Sequence, residues 1–309
     1  MESFYPLLAV LADAMHMFVL PPHFAMKSRI VSPIGTSPSA TLLPNGVSAQ
    51  LLEVDDALEL TDSENWAPLA TSKAVVAKLS HRVMREGHLL PVMTGLCMAL
   101  LAEMYSTTSG LGLSHVRKRL KYRTSPIADF GISKGSVRVD DHSRLAYKRR
   151  SDGSYICGQD PDEHYWLYFR TARDEDVLLD LGLFTFNFCS MVKSEPYAVP
   201  EWKDVIMDMV PAFFTDREFR DGSSLLRTER KCISTLRDTR LHQVARTIEG
   251  GFYDTEVELI AKFMEDIAEG HVPQEEVEMA CAVTLTVCGV LGDVLETQTW
   301  KEYPYPPER

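Results

Sequence analysis

Hydrophobic and polar positions follow two different periods along this chain. Between residues 132 and 181 the period is two. Ser136-Val137-Arg138-Val139 alternates, and Asp140-Asp141-His142 marks a turn. Leu145-Ala146-Tyr147-Lys148 is followed by Ser151-Asp152-Gly153 and then Ser154-Tyr155-Ile156-Cys157, which is hairpin punctuation. His164 to Thr171 is aromatic and β-prone. The polar run Arg173-Asp174-Glu175-Asp176 separates it from Val177-Leu178-Leu179-Asp180-Leu181. These stretches predict a small antiparallel sheet.

Elsewhere the period lengthens to that of a helix. Ala74, Val75, Ala77, Lys78, Leu79 and Val83 predict a helix within 66–87, ended by Gly87 and Pro91. A second helix starts near Thr94, a suitable N-cap, and is apolar on nearly every side from Gly95 to Tyr105. Such a helix is central and buried. After Pro200 the spacing predicts helices near 201–212, 223–249, 254–269 and 273–297. Residues 4–20 read as an amphipathic helix packed on the body. Residues 21–50, rich in Pro, Ser, Gly and Thr, read as a long arm, and Tyr303 to Pro307 as extended chain.

The expected fold class is α+β: a small antiparallel sheet packed on a central cysteine-bearing helix, with a helical C-terminal region. The expected divisions are 1–60 (N-terminal helix and arm), 61–200 (α+β core) and 201–309 (helical region).

Composition narrows the function classes. Apolar residues make up 45% of 309 and charged residues 25%, which excludes collagen-like, coiled-coil and wholly disordered chains. The net charge of −12 argues against nucleic acid as a general partner. The charge is uneven, however. Residues 201–309 carry a net −10, while residues 115–150 hold 11 basic and 3 acidic side chains. Arg117, Lys118 and Arg119 lead that basic stretch, which is either a solvated edge or a place for an anionic ligand. The acid-rich 254–278 stretch is likewise either a partner surface or a solvated face.

Six cysteines without disulfide-scaffold spacing read as thiols in a reducing compartment. The apolar N-terminus lacks a basic start and is interrupted by Asp13 and His16, so neither a signal peptide nor a membrane span is expected. The expected location is cytoplasmic. No zinc, nucleotide or facial-triad iron motif is present, so neither metal nor cofactor is expected.

Three residues combine into a chemistry. Cys97 falls in the first turn of the predicted central helix, where unpaired N–H groups and the helix dipole favour a thiolate. His164 opens one strand and Asp180 lies in the next, 16 residues on. An even separation puts the pair on one sheet face if the strands pair about Ala172. A cysteine nucleophile needs a histidine to take its proton and a third group to orient that histidine. Taken singly, Cys97 is also a small buried hydrophobe, and His164 an ordinary strand residue.

This order resembles the papain-like superfamily in its transglutaminase-like arrangement. His164-Tyr165-Trp166-Leu167 is similar to the His-Ala-Trp-Val element of transglutaminase-like domains. Leu178-Leu179-Asp180-Leu181-Gly182 is similar to the Val-Asp-Val-Gly element of arylamine N-acetyltransferases, and Gly95-Leu96-Cys97-Met98 fits a cysteine-bearing helix start. The resemblance spans about residues 90–190. The acetyltransferases' Arg-Gly-Gly-x-Cys pattern is absent before Cys97, as is an upstream Gln or Trp for an oxyanion hole. The resemblance implies a Cys97-His164-Asp180 triad acting on a peptide, protein or small acyl substrate by hydrolysis, deamidation or transamidation. Trp166 is carried with it as a binding residue. The alternative is a non-catalytic protein of the same fold that binds a partner.

Overall fold

The computed structural model describes residues 2–3, 23–35, 40–55, 66–105, 120–122, 124–187, 191–193, 209–211, 213–215, 227–248 and 251–297. The helix expected at 4–20, Arg117, Lys118, Arg119 and the 303–307 tail lie outside them. The strands are β1 (Glu2–Ser3), β2 (Arg29–Ile30), β3 (Ala40–Leu42), β4 (Ser48–Asp55), β5 (Leu120–Tyr122), β6 (Ser125–Val137), β7 (Leu145–Arg149), β8 (Tyr155–Cys157), β9 (His164–Thr171), β10 (Asp176–Asp180), β11 (Met191–Lys193), β12 (Met209–Pro211), β13 (Phe213–Thr215) and β14 (Arg227–Ser234). The helices are α1 (Lys73–Val83), α2 (Leu89–Leu100), α3 (Thr239–Ala245), α4 (Asp254–Ala268) and α5 (Gln274–Thr297).

The fold class is α+β. The main sheet has seven strands in the order β1-β5-β6-β9-β10-β13, with β14 along the other edge of β6. Its period-two pattern separates two faces. Tyr165, Leu167 and Phe169 of β9, Val177 and Leu179 of β10, and Phe130 and Ile132 of β6 share one core with α2 and the C-terminal helices. His164, Trp166 and Tyr168 alternate with that set and point the other way.

Helix α2 is buried at all twelve positions, as a helix apolar on every side must be. Helix α5 lies along it, and Gly95 sets their distance. A Cβ at Gly95 would lie 2.5 Å from Val283 Cγ1 and 3.0 Å from the Ala280 carbonyl oxygen. Gly95→Ala should therefore cost about 1–3 kcal/mol by overpacking, even though alanine is the better helix former by about 1 kcal/mol. Urea unfolding checks the sign, and a raised midpoint would show that the two helices can move apart freely.

Several boundaries differ from expectation. Helix α2 begins at Leu89 rather than near Thr94. Pro91 is its third residue, where a missing N–H costs nothing, so it opens this helix instead of ending the one before. The described part of the expected 223–249 helix, residues 227–248, is not one continuous helix. It gives strand β14 and then the short α3, capped by the Asp238 carboxylate on the Arg240 and Leu241 N–H groups. Residues 209–211, expected in a helix, pair as β12 with β11. Strand β14 joins the main sheet through β6, so the C-terminal region adds a strand to the core sheet besides its helices. Helices α4 and α5 agree with the predicted spans.

The expected arm is also structured. β2, β3 and β4 form a second, five-stranded sheet with the β7–β8 hairpin, β4 running parallel to β7. Ile30, Leu52, Val54, Trp66, Leu79, Val83 and Tyr147 fill its core beneath α1. The buried Arg82 donates to the Thr185 and Ser143 carbonyls, tying α1 to the main sheet's loops.

Among the described residues one helix, α5, is long and apolar enough to cross a membrane by length and composition. In this fold its apolar face packs on α2 and contributes Val277, Ala280, Val283, Val287 and Leu291 to the core.

Candidate functional site

His164 is the first residue of β9 and Asp180 the last of β10. The strands pair with Leu167 opposite Leu179 and Phe169 opposite Val177, so they fold about residue 173 rather than Ala172. The parity is unchanged by that shift, and the two side chains share a face. His164 Nε2 lies 2.8 Å from Asp180 Oδ2. Asp180 Oδ1 accepts from the Gly182 and Leu183 N–H groups at 2.9 and 3.1 Å, fixing the turn that follows the strand.

A third residue completes this cluster, and it is not a cysteine. Arg227, the first residue of β14, places Nε 2.9 Å and Nη2 2.8 Å from the same Asp180 Oδ2. Its guanidinium carbon sits 5.9 Å from the centre of the Trp166 ring. Trp166 in turn stacks 6.1 Å from the His164 ring, and Phe186 lies 5.7 Å from it on a tilt. His164 is 0% exposed. Burial by itself would push the Asp180 carboxyl up. The charges of His164 and Arg227, with the hydrogen bonds from His164 and the Gly182 N–H, outweigh it and hold the carboxyl well below its ordinary range.

Cys97 lies elsewhere. It belongs to the core between α2 and the sheet, on the face opposite His164. Two rulers agree on the separation. His164 pairs with Gly135 on β6, whereas Thr235, whose side chain lies near the Cys97 thiol, donates its N–H to the Phe130 carbonyl, five residues further along β6. Five strand residues span about 16 Å. On the helix side, a Cβ at Gly182 would lie 2.7 Å from Leu89 and 3.0 Å from His164 Cε1. Leu89 opens α2, and Cys97 comes eight residues later, about 12 Å along the axis. The sheet itself stands between thiol and imidazole.

The reasoning that activated Cys97 also changes. In the third turn of α2 its neighbouring N–H groups are spent within the helix, so no terminal dipole favours a thiolate. Burial pushes the thiol up to about 12, the Thr235 hydroxyl offsetting part of this. Iodoacetamide should therefore label the exposed Cys157 and Cys232 in the folded protein and leave Cys97 unlabelled until denaturant is added. Peptide mapping by mass spectrometry reads this directly, and native labelling of Cys97 at the rate of Cys232 would contradict its burial.

The polar face beyond the cluster is a row of partnered groups. Ser133 donates to Glu229 at 2.7 Å and Ser234 to Asp129 at 2.5 Å. Burial, with the Cys232 and Asp129 side chains beside it, pushes the Tyr168 hydroxyl far up. Among the described residues, His164 Nδ1 and Trp166 Nε1 are buried without a hydrogen-bond partner.

Among the described residues of the basic stretch, Lys134, Lys148 and Arg150 have separate partners. Lys134 is buried and bonds Glu163 at 2.7 Å and the Ala268 carbonyl at 2.6 Å. Lys148 and Arg150 pair with Glu53 and Asp55 on the second sheet. Among the described residues no group of three or more His, Cys, Asp or Glu side chains is arranged to hold a metal ion.

Arg227 escaped the sequence reading because residues 223–249 were expected to be helical, and its partner lies 47 positions away. The face of the His–Asp pair was legible. Residues 165, 167, 169, 177, 179 and 181 are all apolar or aromatic, and they are the set an apolar helix must cover. No protein-family model matches this chain, and neither a curated protein nor a solved structure matches it.

Proposed function

We propose that this protein is a binding module rather than a Cys97-dependent enzyme, with the His164-Asp180-Arg227 cluster fastening three strands of its main sheet. The observation that carries this reading is the opposite-face placement of Cys97 and His164. A nucleophile and its base must approach hydrogen-bonding distance, and a sheet is a barrier no side-chain rotation crosses. The position of Arg227 supports it as well. In a triad the carboxylate stabilises the positive charge that develops on the imidazole. Here a guanidinium occupies the same carboxylate oxygen, so that charge would be repelled. The surface suited to a binding role is the acidic outer side of α4, where Glu258, Glu265 and Asp266 are open to solvent.

The acyl-transfer reading has one specific observation in its favour. The His164 nitrogen left without a partner is Nδ1, on the ring edge away from the carboxylate. Such an enzyme would need a nucleophile on the far face of the sheet. Hydrolysis of an activated ester such as p-nitrophenyl acetate separates the readings. The expected result is one slow rate, equal in the wild type, Cys97→Ala and His164→Gln, with folding checked by circular dichroism. Loss of a burst in folded Cys97→Ala would overturn the binding reading, and loss in His164→Gln alone would favour acyl transfer by another nucleophile.

A further inference from the structure

A cleft of about 370 Å³ opens where the turn carrying His23, the α1–α2 connection and the end of β8 meet, and none of the His–Asp–Arg cluster lines it. Its walls include His23, Glu86, His88, Cys157, Gly158 and Asp160. The volume is at the small end of the range for ligand sites.

Its floor is the carboxylate of Glu86, a residue only 3% exposed. Oε2 is occupied. The Tyr147 hydroxyl donates to it at 2.7 Å, and His23 Nε2 lies 3.9 Å away. His23 Nδ1 accepts the Ala25 N–H, so the ring proton sits on Nε2, toward the carboxylate. Oε1 accepts no hydrogen bond among the described residues. The cleft opens onto that oxygen, so its hydrogen bond comes from solvent or from a bound donor. Gly158 keeps that oxygen reachable, since a Cβ there would lie 3.0 Å from Oε1 and 2.8 Å from Oε2.

The charges facing this carboxylate decide what could fill it. Arg82, on α1, is a guanidinium whose charge favours the Glu86 carboxylate, while its Nε and Nη2 donate to the Thr185 and Ser143 carbonyls. Burial and the charge of His88 push His23 down to about 4, leaving it neutral near pH 7. Arg85 is buried on the adjoining turn, and Tyr147 is held protonated. The acidic side chains lining the cleft are Glu86 and Asp160, and His88 is the titratable group beside His23 on its wall.

We propose that this cleft binds a small organic cation, an ammonium or guanidinium on a short carbon chain, through Glu86 Oε1 with Asp160 at the mouth. Such a donor supplies the hydrogen bond that Oε1 lacks and neutralises a charge that burial makes expensive. The apolar chain rests on the glycine-lined walls. Without a cation, burial pushes the Glu86 carboxyl up to about 7, so the site exchanges a proton for the ligand. Binding is strongest above pH 7, and the dissociation constant rises about tenfold for each unit below it. This inference does not depend on the role given to the His164 cluster.

Cys157, an exposed thiol on the cleft wall, is a built-in reporter. The test measures its iodoacetamide labelling with and without butylguanidinium, each pH compared with its own ligand-free control. At pH 8 the cation should slow Cys157 at least about fivefold and leave Cys232 unchanged, as expected when an occupant covers only the cleft. At pH 6 half-protection should need about ten times more ligand. Butanol, butyrate and sodium ion should not protect, and folded Glu86→Gln should lose the protection. Equal protection by butanol would mean an apolar crevice only, and protection by sodium an inorganic cation site. Either result, protection retained in Glu86→Gln, or none by butylguanidinium, overturns the proposal.

Discussion

Asp180→Asn is expected to lower the unfolding free energy by about 3–5 kcal/mol at pH 7, the cost of stripping a buried charge of its partner. Asparagine has nearly the same shape, so the loss would not come from a cavity. Its carbonyl can still accept the Gly182 and Leu183 N–H groups that Oδ1 holds now. Its amide group, however, would face two donors, His164 Nε2 and the Arg227 guanidinium, where a carboxylate accepts both. Arg227 would then be a buried cation that has lost the Asp180 carboxylate at the junction of β9, β10 and β14.

The wild type's acid response carries the same information. The folded-state carboxyl lies below its ordinary value of 3.8, so its stabilisation is complete above that value and drains away as pH falls below it. Equilibrium urea unfolding of both proteins at pH 7 and pH 3 checks this. A variant within about 1 kcal/mol of the wild type at pH 7 would remove the fastening role, since buried charges normally cost more to orphan.

The opposite sign is expected at Glu86. Its carboxyl rises from 4.5 to about 7 because the folded state buries it, with the Tyr147 hydrogen bond and the Arg82 charge pulling the other way. A raised acid binds its proton more tightly when folded. The benefit is present in full below about 4.5 and is lost as pH rises through 7, leaving the anionic form about 3 kcal/mol poorer. Glutamine carries no such charge and still accepts the Tyr147 hydroxyl. Glu86→Gln should therefore stabilise the protein by about 3 kcal/mol at pH 8 and change little at pH 4.5. His23, pushed down toward 4, contributes in the other direction, stabilising above 6.5 and losing that as pH falls, but it is present in both proteins. A pH-independent difference between variant and wild type would contradict this account of Glu86. A variant that stabilises at high pH while losing the cleft's cation protection would show a stability cost maintained at a binding site.

How much of this was legible before folding depends on the range of the interaction. The hairpin of β7 and β8 was read from Ser151-Asp152-Gly153, where Gly153 takes a positive φ of 72° that favours glycine. Helices α4 and α5 were read from their 3.6-residue period, and the buried character of α2 from its unbroken apolar run. Each is a local property. Pro91 misled because a proline stops one helix and starts another equally well. Residues 227–234 misled because an exposed edge strand needs no alternation: Thr228, Glu229, Arg230 and Cys232 are all open to solvent.

The sequence by itself permitted His164 and Asp180 to share a sheet face, which their even separation gives in every register of the parity that the strands adopt. It also marked an apolar face for the central helix to cover. Only the tertiary structure decided that Cys97 belongs to that covered face and Arg227 to the other. The reason is physical. Strand alternation repeats every two residues and is written locally, whereas the side on which a helix packs, and the strand that closes a sheet 47 residues later, are set by burying the whole apolar surface at once.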